Sequence, residues 1–282
     1  MPPLPLPLIA LILVAAFLHA GWNILAKSAR DPFLGVTLLI SLTSLIALPA
    51  AFFVPFPAPA SWPYLLGSVV THAIYNLLLG YGYRWADLTL VYPLSRGTAP
   101  LMIAASAWLI AGEAQSPLAL AGIVVLSLGI LSFAVERGHA AHARGLLIGL
   151  ALGVTIMSYQ LIDGLGVRVA GNRFSYIVWL FLPEGPSLLL LCLFLKRLDI
   201  FAFAKANWRS MTGGAVMSTL SYAIAVYAAS RGALAHVAAL RETSALFGTI
   251  LGVALLKEQM RPIRYVGAGL VSLGAILLAS AA

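Results

Sequence analysis

The chain has 282 residues, of which 61% are hydrophobic and 9% charged, against about 25% charged in soluble domains. That excludes a soluble globular protein and points to a polytopic, all-α membrane protein. The net charge of +8 reads as loop charge on one membrane face rather than as a nucleic-acid footprint, and the single cysteine, Cys192, lies in an apolar run and supports neither a disulfide nor a thiol metal site.

Hydropathy predicts ten spans, at about 4–26, 32–54, 62–84, 88–111, 117–135, 145–165, 174–195, 209–231, 234–256 and 262–280. The first lacks a positive leader and stays apolar to Ala26, so it reads as a span and not as a signal peptide. The connections are short, the longest being 136–144 and 196–208. The polar segment ERGHAAHAR at 136–144 then joins two five-span halves, 1–135 and 145–282. Five is odd, so the second half enters the membrane from the opposite face. The expected architecture is two inverted five-helix repeats around a central cavity at their junction. Twelve Lys and Arg fall in the loops of one face against three, Arg168, Arg173 and Arg231, in the other. The richer face is therefore cytoplasmic, and both termini lie outside the cytoplasm.

Polar residues inside these spans mark the candidate site. Span one carries His19, Trp22 and Asn23, and span three His72, Tyr75 and Asn76, both as His-x-x-aromatic-Asn. Positions i, i+3 and i+4 share a helix face, so each helix shows a stripe that either lines a cavity or bonds to a neighbouring helix. Span four holds Arg96 between Pro93 and Pro100, which either break the helix at a binding site or only kink it. Glu113, in GEAQSP, reads first as a turn into a helix that starts with proline. Span six holds Tyr159, Gln160 and Asp163, the last near the outer end within reach of solvent. Span seven places Glu184 between Pro183 and Pro186 close to mid-membrane, and span eight offers Ser218, Ser221 and Tyr222. Span nine carries Arg241 and Glu242 side by side near its middle, where each charge costs about 2.5–3.5 kcal/mol unless it faces protein or water.

Spans four and nine begin a repeat. At an offset of 145, Arg96 falls on Arg241, Thr98 on Thr243, Glu113 on Glu258, Pro117 on Pro262, Gly122 on Gly267 and Gly129 on Gly274. Leu and Gly matches follow from composition alone; matched Arg, Glu and Pro do not.

HAGWNILAK at 19–27, the pair YPLSRGTAP and VAALRETSA, and the paired endings GEAQSPLALAGIVVLSLGI and KEQMRPIRYVGAGLVSLGA resemble the EamA family of the drug/metabolite transporter superfamily. The resemblance implies ten helices as two inverted repeats and the transport of a small metabolite. It implies export of amino acids or related compounds across a bacterial inner membrane, by analogy with members that do so. Carried onto this chain, it implies a cavity lined by Trp22, Asn23, Tyr75, Asn76, Arg96, Tyr159, Tyr222 and Arg241. An arginine at both repeat-related positions departs from the family's general pattern and argues against a plainly neutral substrate.

The charges leave several functions open. Arg96, Arg241 and Glu242 sum to +1, so one arginine could take a substrate carboxylate while Glu242 takes its ammonium, which describes an amino acid. If Glu242 is committed to an internal salt bridge, the free arginine favours an organic anion or a phosphonate. A lipid flippase or accessory subunit, or two purely structural arginines, are the other readings. Glu184 is a candidate for proton coupling, with His19 as a second, and Glu184 could equally pair with either arginine. The sequence has no Walker A motif, hydrolase motif or metal-ligand spacing, so the expectation is a non-enzymatic secondary transporter without cofactor or metal. Its expected partners are a small metabolite and the bilayer, not nucleic acid, and the chain is expected to act as a monomer.

Overall fold

The computed structural model describes residues 4–27, 29, 31–85, 88–135, 143–256 and 262–281. Glu258 and most of the expected linker lie outside them. The described residues form eleven α-helices and one 3-10 turn: α1 (Leu6–Lys27), α2 (Pro32–Ala51), the turn at Pro59–Ser61, α3 (Trp62–Trp85), α4 (Leu88–Ala111), α5 (Pro117–Val135), α6 (Ala143–Val169), α7 (Arg173–Phe194), α8 (Ile200–Ala229), α9 (Leu234–Arg241), α10 (Ser244–Leu256) and α11 (Pro262–Ser280). Helices close their backbone hydrogen bonds within one segment, as apolar surroundings demand. Seven of them, α1, α2, α4, α5, α6, α7 and α11, are long and apolar enough to cross a membrane. α3 and α8 are as long but carry more polar residues, and α9 and α10 divide one span between them.

That division is where the sequence expectation shifts. For span four, the prolines left a broken helix and a kinked one both open. α4 continues through Pro93 and Pro100, and span nine, which has no proline, is interrupted at Glu242 and Thr243. The junction is a tight turn. Thr243 N–H donates to the Leu240 carbonyl at 3.2 Å, and the Thr243 hydroxyl donates to the same oxygen at 2.7 Å. A hydroxyl that bonds back onto its own helix competes with the regular ladder.

The helix ends are set by local chemistry. Asp31 caps α2, accepting from Leu34 N–H at 3.1 Å ahead of Pro32, and Asn172 caps α7 through Phe174 and Ser175 N–H. α9 has no side-chain cap of its own. Glu113 supplies one from another part of the chain, accepting from Leu234 N–H at 2.8 Å and from Arg168 at 2.5 Å. Arg168 also donates to the carbonyls of Ala229 and Gly232, so this clamp ties the α4–α5 connection to the end of α6 and the α8–α9 turn.

Packing pairs α1 with α8 and α3 with α6, α4 with α6 and α1 with α10, and α2 with α8 and α3 with α7, while α2 meets α7 and α5 meets α11. The α5–α11 contact has no room for a side chain. A Cβ on Gly122 would lie 3.0 Å from the Gly274 carbonyl oxygen, and one on Gly129 would lie 2.8 Å from that of Gly267. The early glycine of one helix meets the late glycine of the other, so α5 and α11 run antiparallel.

Candidate functional site

Three side chains meet where the span-nine break faces α4 and α1. Arg96 is 2% exposed and Glu242 1%. Arg96 Nη1 donates to Glu242 Oε1 at 3.2 Å, and its Nη2 lies 2.8 Å from His19 Nε2. The other ring nitrogen, Nδ1, lies 3.2 Å from Trp22 Nε1 and 3.4 Å from Arg241 Nη2. Guanidinium and indole groups only donate, and a neutral imidazole has one accepting nitrogen. Donors therefore approach both sides of a ring that can satisfy one side. A proton added to His19 would set a third positive charge against two guanidinium groups.

Arg241 occupies a different setting. It is 4% exposed, its Nε and Nη1 have no hydrogen-bond partner, and its guanidinium carbon lies 4.9 Å from the centre of the Tyr222 ring. It borders a cavity walled by residues of α1, α2, α3, α4, α6, α7, α8 and α9. Nine of the eleven residues singled out from the sequence line that cavity: His19, Trp22, Tyr75, Asn76, Arg96, Tyr159, Glu184, Tyr222 and Arg241. The two others do not. Glu242 is turned to Arg96, and Asn23 donates to the His19 carbonyl of its own helix at 2.7 Å.

The opposite wall is aromatic and acidic. His72 stacks on Tyr159 with ring centres 4.2 Å apart, and Tyr75 and Tyr222 meet Tyr159 edge-on. Glu184 Oε1 lies 3.3 Å from His72 Nδ1, which is also 3.0 Å from the Ser68 carbonyl oxygen. Neither arginine pairs with Glu184 in this arrangement.

Asp163 corrects the expectation that water reaches it. It is 1% exposed and accepts from the hydroxyls of Tyr176, at 3.1 Å, and Tyr222. A lone carboxylate in an apolar span was the available signal; its phenol partners come from α7 and α8. His72 belonged to the polar stripe of span three but was not singled out, because nothing in sequence ties α3 to Glu184 on α7. A second, smaller cavity lies beyond Arg241 and Tyr222, which line both. Gln160, Asp163 and Leu234 also border it, and the Glu113–Arg168 clamp grips its end at Leu234 and Ala229.

Residues 143–280 match the model of the EamA-like transporter family. A crystal structure described only as that of a protein superposes with a TM-score of 0.74 at 15% identity, covering 96% of both chains, which shows a shared fold. None of the curated proteins compared matches the chain.

Proposed function

Since the chain belongs to the EamA-like transporter family through its residues 143–280, a membrane transporter of small molecules, we propose that its substrate is an amino acid or a close relative. The observation that carries this reading is Arg241. Arg241 borders the cavity and its buried Nε and Nη1 donors have no partner, whereas Arg96 is committed to Glu242. A buried guanidinium with open N–H donors binds a carboxylate or phosphate oxygen through charge-assisted hydrogen bonds. Glu184, on the same cavity, takes the ammonium role first considered for Glu242. Trp22, Tyr75 and Tyr159 line the space for the side chain.

The same bridge supports a second reading. With Glu242 neutralised by Arg96, Arg241 alone would favour an organic anion or a phosphonate. Equilibrium binding to purified protein separates the two, with an amino acid, an alkylphosphonate and a sugar phosphate as ligands. Amino-acid binding that neither rival displaces supports the zwitterion site; tighter phosphonate binding replaces it.

Two inverted five-helix repeats are part of this proposal, and the α5–α11 contact supports them. Gly122 and Gly129 correspond to Gly267 and Gly274 in the sequence repeat, and these equivalent helices cross antiparallel, as opposite insertion requires. The pairing of α1 with α8 has its counterpart in α6 with α3, and that of α4 with α6 in α10 with α1. We place the chain in a bacterial inner membrane, both termini outside the cytoplasm, exporting by alternating access. The loop charge supports the orientation and the family resemblance the direction.

A further inference from the structure

With the His19 and His72 rings neutral, Arg96 and Arg241 stand against three buried carboxylates, Glu242, Asp163 and Glu184, so ionising all three leaves one negative charge over. The geometry shows which carboxylate that is. Glu242 has Arg96 at 3.2 Å, and Asp163 accepts from two phenol hydroxyls. Glu184 is 6% exposed, and its Oε1 makes no hydrogen bond. The donor near it, His72 Nδ1 at 3.3 Å, is closer to the Ser68 carbonyl oxygen, at 3.0 Å. A carbonyl only accepts, so Nδ1 carries the ring hydrogen and directs it to Ser68, whose hydroxyl is also 3.1 Å away, rather than to Glu184.

Among the described residues, the surroundings offer no better partner. Around Glu184, α2 contributes no titratable side chain, α3 contributes His72, α6 Asp163 and Tyr159, α8 Tyr222 and α9 Arg241, and α7 itself adds Tyr176. Arg241 is drawn to the Tyr222 face and Tyr176 to Asp163. A buried carboxylate left like this is costly when charged and not when protonated.

We infer that Glu184 is an exchange site, at which a proton and the ammonium group of the substrate alternate, so that transport is coupled to protons. This rests on the amino-acid reading above. The step balances: the Glu184 carboxyl group releases its proton to water as the substrate's ammonium takes its place, and regains one when the substrate leaves. His72 lies beside the carboxyl without exchanging the proton itself.

Two measurements on the purified full-length protein test this. The first needs no ligand. At neutral pH the infrared spectrum is expected to contain a protonated-carboxyl band that is lost in Glu184→Gln and kept in Asp163→Asn. Absence of that band from the unsubstituted protein, or its survival in Glu184→Gln, overturns the exchange site whatever the substrate is.

The second is proton release in weakly buffered solution with L-leucine and its deaminated analogue 4-methylpentanoate as probes. L-Leucine is expected to release about one proton per molecule bound, and 4-methylpentanoate none. In Glu184→Gln the release disappears and L-leucine affinity falls about 10- to 100-fold, while 4-methylpentanoate affinity is unchanged. L-Leucine binding without proton release overturns the inference and leaves the substrate reading standing. Loss of affinity for both probes in a folded Glu184→Gln protein also overturns it.

Discussion

Arg96→Gln removes the cation from a pair in which the two side chains are 2% and 1% exposed. Glu242 would keep its burial and lose its donor at 3.2 Å. Breaking a buried pair from one side costs about 3–5 kcal/mol, because the remaining charge is uncompensated. Against a total stability on the order of 5–15 kcal/mol, that is enough to lower the unfolding temperature in detergent markedly. The His19 contact at 2.8 Å is lost in the same step, but a neutral imidazole recovers acceptors or donors more cheaply than a charge does. Glu242→Gln should destabilise similarly, leaving Arg96 unpaired. The double variant Arg96→Gln/Glu242→Gln carries neither charge and should recover most of the loss, since neutral replacements of a buried pair are often close to neutral in stability. Thermal unfolding of the purified proteins followed by size-exclusion chromatography gives the full double-mutant cycle. Single variants as stable as the parent, or a double variant no better than either single, would refute the reasoning.

Gly129→Val puts a side chain 2.8 Å from the Gly267 carbonyl oxygen, and should cost about 1–3 kcal/mol by prising α5 from α11, read as a lower unfolding temperature. Gly269, which has nothing within 4 Å of its Cβ position, should tolerate alanine in the same assay. Glu113→Gln should loosen the Arg168 clamp and the start of α9, speeding hydrogen exchange at Leu234 N–H relative to α7. On the loop face, burial pushes the Asp31 carboxyl up, but the hydrogen bond from Arg197 at 2.6 Å and the Leu34 N–H together hold it below its ordinary 3.8. Its folded value is depressed, so the stabilisation is present above the ordinary value and is lost as pH falls through the lower folded one. Unfolding temperature should therefore fall below about pH 4 more steeply in the parent than in Asp31→Asn.

Much of this arrangement was legible because charges inside apolar runs are constrained so strongly. Arg96 and Arg241 had to face protein or water, and both border one cavity. The stripes of spans one and three brought His19, Trp22, Tyr75 and Asn76 to the same space because their spacing fixes one helix face. What the sequence left open is which partner each group takes. Glu242 could have served a substrate, and it bridges to Arg96 on a helix 146 residues away in sequence. Asp163 looked solvated from its place near a span end, and phenols on α7 and α8 enclose it. The break in span nine also escaped, since a threonine hydroxyl that bonds back onto its own helix leaves no mark as plain as the prolines of α4, which had left a break and a kink both open. Periodicity reports the face a residue shares, and not what stands opposite it.

The central claim is that Arg241 holds a substrate carboxylate in a transport cavity. Counterflow of labelled amino acids into proteoliposomes, comparing the parent with Arg241→Gln, tests it most directly. Removing a charged contact should weaken binding by about 1.5–3 kcal/mol, roughly 10- to 150-fold, while the protein still purifies as one species because Nε and Nη1 of Arg241 hold no partner in the fold. The account predicts accumulation of an amino acid by the parent and its loss in Arg241→Gln. Equal accumulation by a well-folded Arg241→Gln protein would contradict it.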